Sequence, residues 1–244
     1  MNKIVVISDI HANLSALNAV VNDIHKHYHP EGIALLGDVI NYGMRPNEVI
    51  EVINNFDIPI ICNLMGNHEK AILCNQSEHF SSDRGRASLE YTKDILNSHS
   101  LHYIQNNMAS EGKLDMFLNG KKILFIHGDI DDSYWGKLSV EKTRDSRYSI
   151  YDYVISGHTH MPHYVETFFP DNNPAMRDKK KTIFLNPGSV GQPRNHNSLA
   201  QYLYLDISSQ IVHHNAVPYD IAKEQELYPN SIDIFYRDRL LTGV

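Results

Sequence analysis

An α/β fold is expected from the first 69 residues, where short apolar runs alternate with segments of helical period and every run ends in a polar cluster. Residues 4–7, Ile-Val-Val-Ile, are continuously apolar and β-branched, the pattern of a strand buried on both faces. Residues 13–24 place Leu14, Leu17, Val20, Val21 and Ile24 at helical spacing, so the chain opens strand, loop, helix. A second run, residues 32–36, ends at Gly37-Asp38. Residues 47–56 carry Val49, Ile50, Val52, Ile53 and Phe56 on a helical period behind Pro46, which suits a first helical turn. A third run, residues 58–64, ends at Gly66-Asn67-His68-Glu69. Open α/β sheets bind ligands beyond the carboxyl ends of their strands, so the polar clusters mark one candidate site.

Residues 70–119 are polar and rich in Ser, Asn and Tyr, with a helical stretch at 84–97. They are expected to form a helical insertion beside the site, with a part in substrate choice. Strands resume at 122–126, ending at His127-Gly128-Asp129, and at 153–156, ending at Gly157-His158-Thr159-His160. Residues 164–169 and 182–185 flank a polar stretch as the arms of a hairpin, and the basic run Lys179-Lys180-Lys181 falls in its tip. Residues 200–206 and 210–217 alternate as strands around a Ser-Ser turn, and short helices close the chain. At 244 residues, with neither an internal repeat nor a linker, one domain spanning 1–244 is expected.

Composition narrows the function. Net charge is −7 and the pI is near 6.1, with basic residues scattered. An acidic chain without a basic stripe is a poor general nucleic-acid binder. Two cysteines, Cys62 and Cys74, make no disulfide framework. The first apolar run is too short for a signal-peptide core and no stretch approaches membrane-spanning length. A cytoplasmic location without a membrane partner is therefore expected.

The polar residues at the strand ends are Asp9, His11, Asp38, Asn67, His68, His127, His158 and His160. Imidazoles, carboxylates and an amide oxygen suit borderline divalent metals. In extended backbone, residues i and i+2 point the same way, so Asp9 with His11, and His158 with His160, can each reach one centre. Five strand ends supply enough ligands for two ions, with Asp38 a natural bridge. One such histidine alone is more often an ordinary polar residue; their joint occurrence behind apolar strands and beside glycines marks a metal site. His25, His27 and His29 follow a helix end, where solvent and the helix C-terminus suit them. His213 and His214 point to opposite strand faces, and His79, His99, His102 and His196 have no evident partner.

In order, Ser8-Asp9-Ile10-His11, Gly37-Asp38, Gly66-Asn67-His68-Glu69, His127-Gly128-Asp129 and Gly157-His158-Thr159-His160 resemble the motifs of the calcineurin-like metallophosphoesterase superfamily. Residues 186–194, Asn-Pro-Gly-Ser-Val-Gly-Gln-Pro-Arg, resemble its compact bacterial branch of phosphodiesterases and phosphatases. The resemblance implies a four-layer αββα sandwich, two mixed β-sheets flanked by helices, with the site at one edge. It implies two divalent metal ions, manganese first, with Fe, Zn, Co or Ni as alternatives. Asp9, His11, Asp38 and His160 would hold one; Asp38, Asn67, His127 and His158 would hold the other. His68 matches the family's non-ligand histidine, which contacts phosphate and protonates the leaving oxygen. The implied reaction is hydrolysis of a small phosphodiester, nucleotide or phosphomonoester by direct metal-hydroxide attack, without a covalent enzyme intermediate.

One departure narrows this further. Protein Ser/Thr phosphatases and symmetrical diadenosine tetraphosphate hydrolases of the superfamily carry Asp-Arg-Gly after the second block, where this chain has Asn41-Tyr42-Gly43. That moves the expectation away from both, and leaves Arg45 or Arg194 to replace the phosphate-gripping arginine. An inactive scaffold is the competing reading from another class; scaffolds of this fold show substituted ligands or a lost histidine, and here all are intact. A nuclease is disfavoured by the acidic balance.

Overall fold

The computed structural model describes residues 1–244. Its strands are β1 (Lys3–Ile7), β2 (Gly32–Leu35), β3 (Ile60–Asn63), β4 (Lys113–Leu118), β5 (Lys121–Ile126), β6 (Tyr153–Ser156), β7 (His163–Pro170), β8 (Lys179–Asn186), β9 (Ala200–Asp206) and β10 (Ile211–Val217). They form two mixed five-stranded sheets, ordered β10-β9-β1-β2-β3 and β4-β5-β6-β8-β7. Three parallel strands lead each sheet to the site: β1, β2 and β3 in one, β5, β6 and β8 in the other. The remaining strands pair antiparallel outside them. The helices are α1 (Leu14–His27), α2 (Pro46–Asn54), α3 (Asn67–Cys74), α4 (Asp83–Ile95), α5 (Ser98–Asn107), α6 (Ile221–Gln225) and α7 (Ile234–Thr242).

Alternation along β1 explains the layering. Ile4 and Val6 join Phe125, Ile155 and Leu185 in the core between the sheets, while Val5 and Ile7 meet Leu17, Val20 and Ile24 of α1 and Val49, Ile50 and Ile53 of α2. Both faces of β1 are thus buried, and each such side chain contributes about 1.5–3 kcal/mol relative to exposure. The outer face of the second sheet is covered by the connection after β5, whose two 3₁₀ turns, Lys142–Arg144 and Ser146–Ile150, lay Tyr148 over Leu124, Val154 and Phe184. The expected four-layer sandwich is present, with 3₁₀ turns in its outermost layer on that side.

Two expectations need correction. The helical insertion ends at Asn107, and Lys113–Leu118 is the edge strand β4, paired from Lys113↔Ile126 to Leu118↔Lys121. Leu114, Met116 and Leu118 pack on the inter-sheet core while Lys113, Asp115 and Phe117 face solvent, a two-residue period hidden in a polar context. Lys179-Lys180-Lys181 lies in β8 rather than in the hairpin tip, opposite Pro170, Phe169 and Phe168, with Lys181 paired 2.8 Å from Glu166. No helix is long and apolar enough to cross a membrane.

Candidate metal centre

The predicted ligands stand just past the carboxyl ends of β1, β2, β3, β5 and β6, at the edge where the sheets meet. Asp9, His11, Asp38, His158 and His160 have φ of 54°, 48°, 53°, 61° and 58°. Residues other than glycine seldom adopt this left-handed region, and such strain persists where the surrounding structure enforces it. The backbone therefore turns sharply at each strand end and is not extended there, so the i, i+2 argument holds for only one pair. Asp9 and His11 reach one group, whereas His158 and His160 diverge into two.

Close approach of the β2 and β3 loops requires glycine. A Cβ on Gly66 would collide with the Asp38 carboxylate, and one on Gly37 (φ +97°) with the Gly66 backbone. The buried Glu69 carboxylate locks the two loops together. It accepts N–H bonds from Asp38 (2.9 Å), Val39 (2.7 Å), Ile40 (3.1 Å) and Gly66 (2.7 Å). These donors favour its ionised form against the burial that raises its pKa.

The hydrogen-bond network assigns the ring protons. His11 Nδ1 lies 3.2 Å from the Ile40 carbonyl, His127 Nδ1 2.7 Å from that of Leu36, and His160 Nδ1 2.5 Å from that of Gln192. A carbonyl only accepts, so each Nδ1 carries hydrogen and each Nε2 of a neutral ring presents a lone pair. Those lone pairs face other acceptors. His11 Nε2 is 3.1 Å from His160 Nε2, and His160 Nε2 is 3.2 Å from Asp9 Oδ1, a buried oxygen without a hydrogen-bond donor. Asn67 Oδ1 is 3.0 Å from both His127 Nε2 and His158 Nδ1. Asp38 Oδ2 stands between the groups, 3.9 Å from His11 Nε2 and 3.3 Å from His127 Nε2. Converging acceptors with their protons turned outward are the environment a cation requires, and the outward Nδ1–H···O=C bonds are the supports that orient metal-binding histidines. The residues fit divalent metal binding, in two groups that both include Asp38.

The electrostatics carry the same demand. Burial, together with neighbouring histidines, holds His11 well below its ordinary pKa and His158 at about 3; burial and the charge of Arg194 hold His160 low. His127 alone rises, to about 9, because the carboxylates of Asp38 and Asp9 outweigh its burial.

His68 is set apart. Its Nδ1 is 2.6 Å from Asn41 Nδ2, while Asn41 Oδ1 accepts from Ser88 Oγ (2.7 Å), Thr92 Oγ1 (3.2 Å) and the Tyr42 N–H (2.7 Å). With the amide oxygen occupied, the Asn41 NH₂ donates to His68 Nδ1, and neutral His68 carries its hydrogen on Nε2. That Nε2 lies 3.7 Å from Asp38 Oδ2. Burial pushes His68 down to about 4.

A cavity of about 250 Å³ opens over the centre, lined by His68, His158 and His160 together with Phe80, Trp135, Lys137, Arg194 and others. Of the two arginines left open by the sequence, Arg194 lines this cavity; Arg45 is paired with Glu224 elsewhere. The insertion does reach the site, through His79, Phe80, Ser81 and Ser82 in the wall and Ser88 and Thr92 behind Asn41. The set-aside histidines divide. His25 and His27 sit in the last turn of α1, 3.4 and 3.5 Å from Asp57 and Asp23, and His214 Nε2 is 2.9 Å from the Asn186 carbonyl. His79 joins the cavity wall against Trp135, a partner the sequence did not suggest. The roles of Asn41, Glu69, Trp135 and Lys137 also escaped sequence reasoning; the signals were the place of Glu69 in Gly-Asn-His-Glu and that of Asn41 where relatives carry Asp-Arg-Gly.

The family model described as the calcineurin-like phosphoesterase superfamily domain matches residues 2–210. An uncharacterized protein of Methanocaldococcus jannaschii is 31% identical, with 98% of each chain covered. A metallophosphoesterase from Sphaerobacter thermophilus superposes with a TM-score of 0.75 at 25% identity, covering 99% of this chain and 100% of its own. A hypothetical protein from Pyrococcus horikoshii OT3 shares the fold with a TM-score of 0.74 at 19% identity, covering 97% and 98%.

Proposed function

The chain belongs to the calcineurin-like phosphoesterase superfamily, and from that we propose that it hydrolyses a small phosphodiester, nucleotide or phosphomonoester with two divalent ions bound. The supporting observation is the inward-facing set of acceptor atoms on Asp9, His11, His160, Asp38, His127 and Asn67, with the His158 ring closing the second group. Two such ions supply an activated water at neutral pH and neutralise charge on the phosphoryl oxygens. Mixed nitrogen and oxygen donors suit manganese, and also Fe, Zn, Co or Ni. Both cysteines are free, which suits the cytoplasm.

The chain's own residues do the rest. Asp38 joins the two ligand groups. Arg194 and Lys137 face the cavity as cations for phosphate oxygens, and Phe80, Trp135 and Tyr42 form an aromatic wall suited to a flat organic moiety. His68 directs Nε2–H toward the reacting phosphate, held in that tautomer by Asn41 while the ring is neutral; to protonate the leaving oxygen it first gains a second proton at Nδ1, where Asn41 then presents its amide oxygen in place of its NH₂. The phosphate's negative charge raises the His68 pKa from its low value as substrate binds.

Turnover of bis-p-nitrophenyl phosphate or p-nitrophenyl phosphate with Mn²⁺, lost in EDTA and restored by metal, is the expected result. No turnover from fully loaded protein would favour the inactive scaffold. Arg194→Ala should lower kcat/KM by about 10–150-fold, mainly through KM, the loss of roughly 1.5–3 kcal/mol for a hydrogen bond to a charged group. A variant with wild-type KM would remove Arg194 from phosphate binding.

A further inference from the structure

Beside the metal cavity lies a larger one of about 630 Å³, lined by Arg84 of α4, Tyr228, Asn230 and Ser231 after α6, and Arg237 of α7, among others. The two are neighbours. Ser82 lines the first and the next residues, Asp83 and Arg84, line the second. Tyr42 of the first stacks on Tyr236 of α7, with ring centroids 4.4 Å apart.

Arg84, Arg194 and Arg239 gather at this junction, with the carboxylates of Asp83 and Asp233 in the wall of the larger cavity. The Arg84 and Arg239 guanidiniums lie 3.7 and 4.2 Å from the centroid of the same ring, Phe235. Arg194, on the metal side, leaves its buried Nε without a partner. Three of the nearby acids have cations of their own, Asp83 with Arg86, Asp238 with Arg237 and Glu224 with Arg45, and Asp233 accepts the Phe235 N–H in capping α7. Arg239 Nε donates to a main-chain oxygen of Val244, the last residue described. Burial and the charges of Arg194 and Arg84 push Arg239 down to about 10, so the cluster is held together against its own repulsion. Planar guanidiniums stacked on an aromatic ring, with donors left over, match the geometry of phosphate oxygens.

We propose that Arg84 and Arg239, adjoining Arg194, form an anion subsite for a second, non-reacting phosphate, so that the preferred substrate is a small molecule bearing two phosphate groups. This rests on the phosphoesterase reading: one phosphate occupies the metal cavity and is cleaved, while the other is gripped at the junction with the larger cavity. The subsite also gives the insertion, through Arg84 at the start of α4, a direct part in substrate choice.

The test compares adenosine 3′,5′-bisphosphate with 5′-AMP as substrates of the Mn²⁺-loaded enzyme. In the wild type kcat/KM should favour the bisphosphate by about tenfold or more. Arg84→Ala and Arg239→Ala should bring the ratio toward one, and Arg84→Lys should keep part of it. Arg84 is exposed, so its truncation spares the fold. A wild-type ratio at or below one, or a ratio untouched by Arg84→Ala, overturns the subsite. If neither compound is hydrolysed, the phosphoesterase reading fails, and calorimetric binding of the bisphosphate decides the subsite separately. Binding about tenfold weaker in Arg84→Ala supports it; equal binding overturns it.

Discussion

Asp38→Asn is expected to lower kcat/KM by about a thousandfold or more and to reduce bound metal below two ions per chain. Asp38 Oδ2 is the acceptor that faces both ligand groups, at 3.9 Å from His11 and 3.3 Å from His127. Its other oxygen accepts the His68 backbone N–H at 3.0 Å, so an amide can keep that bond and the local shape. What the amide removes is the negative charge that the two proposed ions would share, and it can turn an NH₂ donor toward them. Elemental analysis beside steady-state kinetics reads both effects. A variant with wild-type turnover and metal content would show that the two groups do not share this residue.

His68→Ala should cost about 10²–10⁴-fold in kcat on an alkyl phosphate ester while leaving metal content at the wild-type level. The ring is no ligand in this arrangement, since Nδ1 is engaged by Asn41 and Nε2 carries the hydrogen. An alkoxide leaving group needs a proton, whereas p-nitrophenolate scarcely does, so the loss on p-nitrophenyl phosphate should be much smaller. Equal losses on both esters would assign His68 to phosphate binding instead of proton donation. Loss of metal would place the ring among the ligands.

The strand ends and their ligands were legible because each property is local. A β-branched apolar run followed by Gly and Asp or His reads as a buried strand leading to a polar turn, and six of the candidate ligands do fall into two groups that share Asp38. The branching of His158 and His160 into different groups came only with the family resemblance; spacing pointed both at one centre, because the branching depends on positive φ at both residues, which no spacing announces. β4 was hidden for a related reason: an edge strand with three solvent-facing residues looks polar whatever its period. The cavity walls were the least visible. Trp135 and Lys137 come from the connection after β5, Arg194 from the loop after β8, and Phe80 from the insertion. Their meeting depends on how the two sheets stack. Asn41 stood in the sequence only as a missing Asp-Arg-Gly, and its grip on His68 needs the Ser88 and Thr92 hydroxyls that α4 brings over.

The central claim, two divalent ions sharing Asp38, is tested most directly by titrating metal-stripped protein with Mn²⁺ while following bound metal and activity together. Two ions per chain, with full activity reached only as the second site fills, is the expected result. Full activity at one ion per chain, or saturation at a single site, would contradict it.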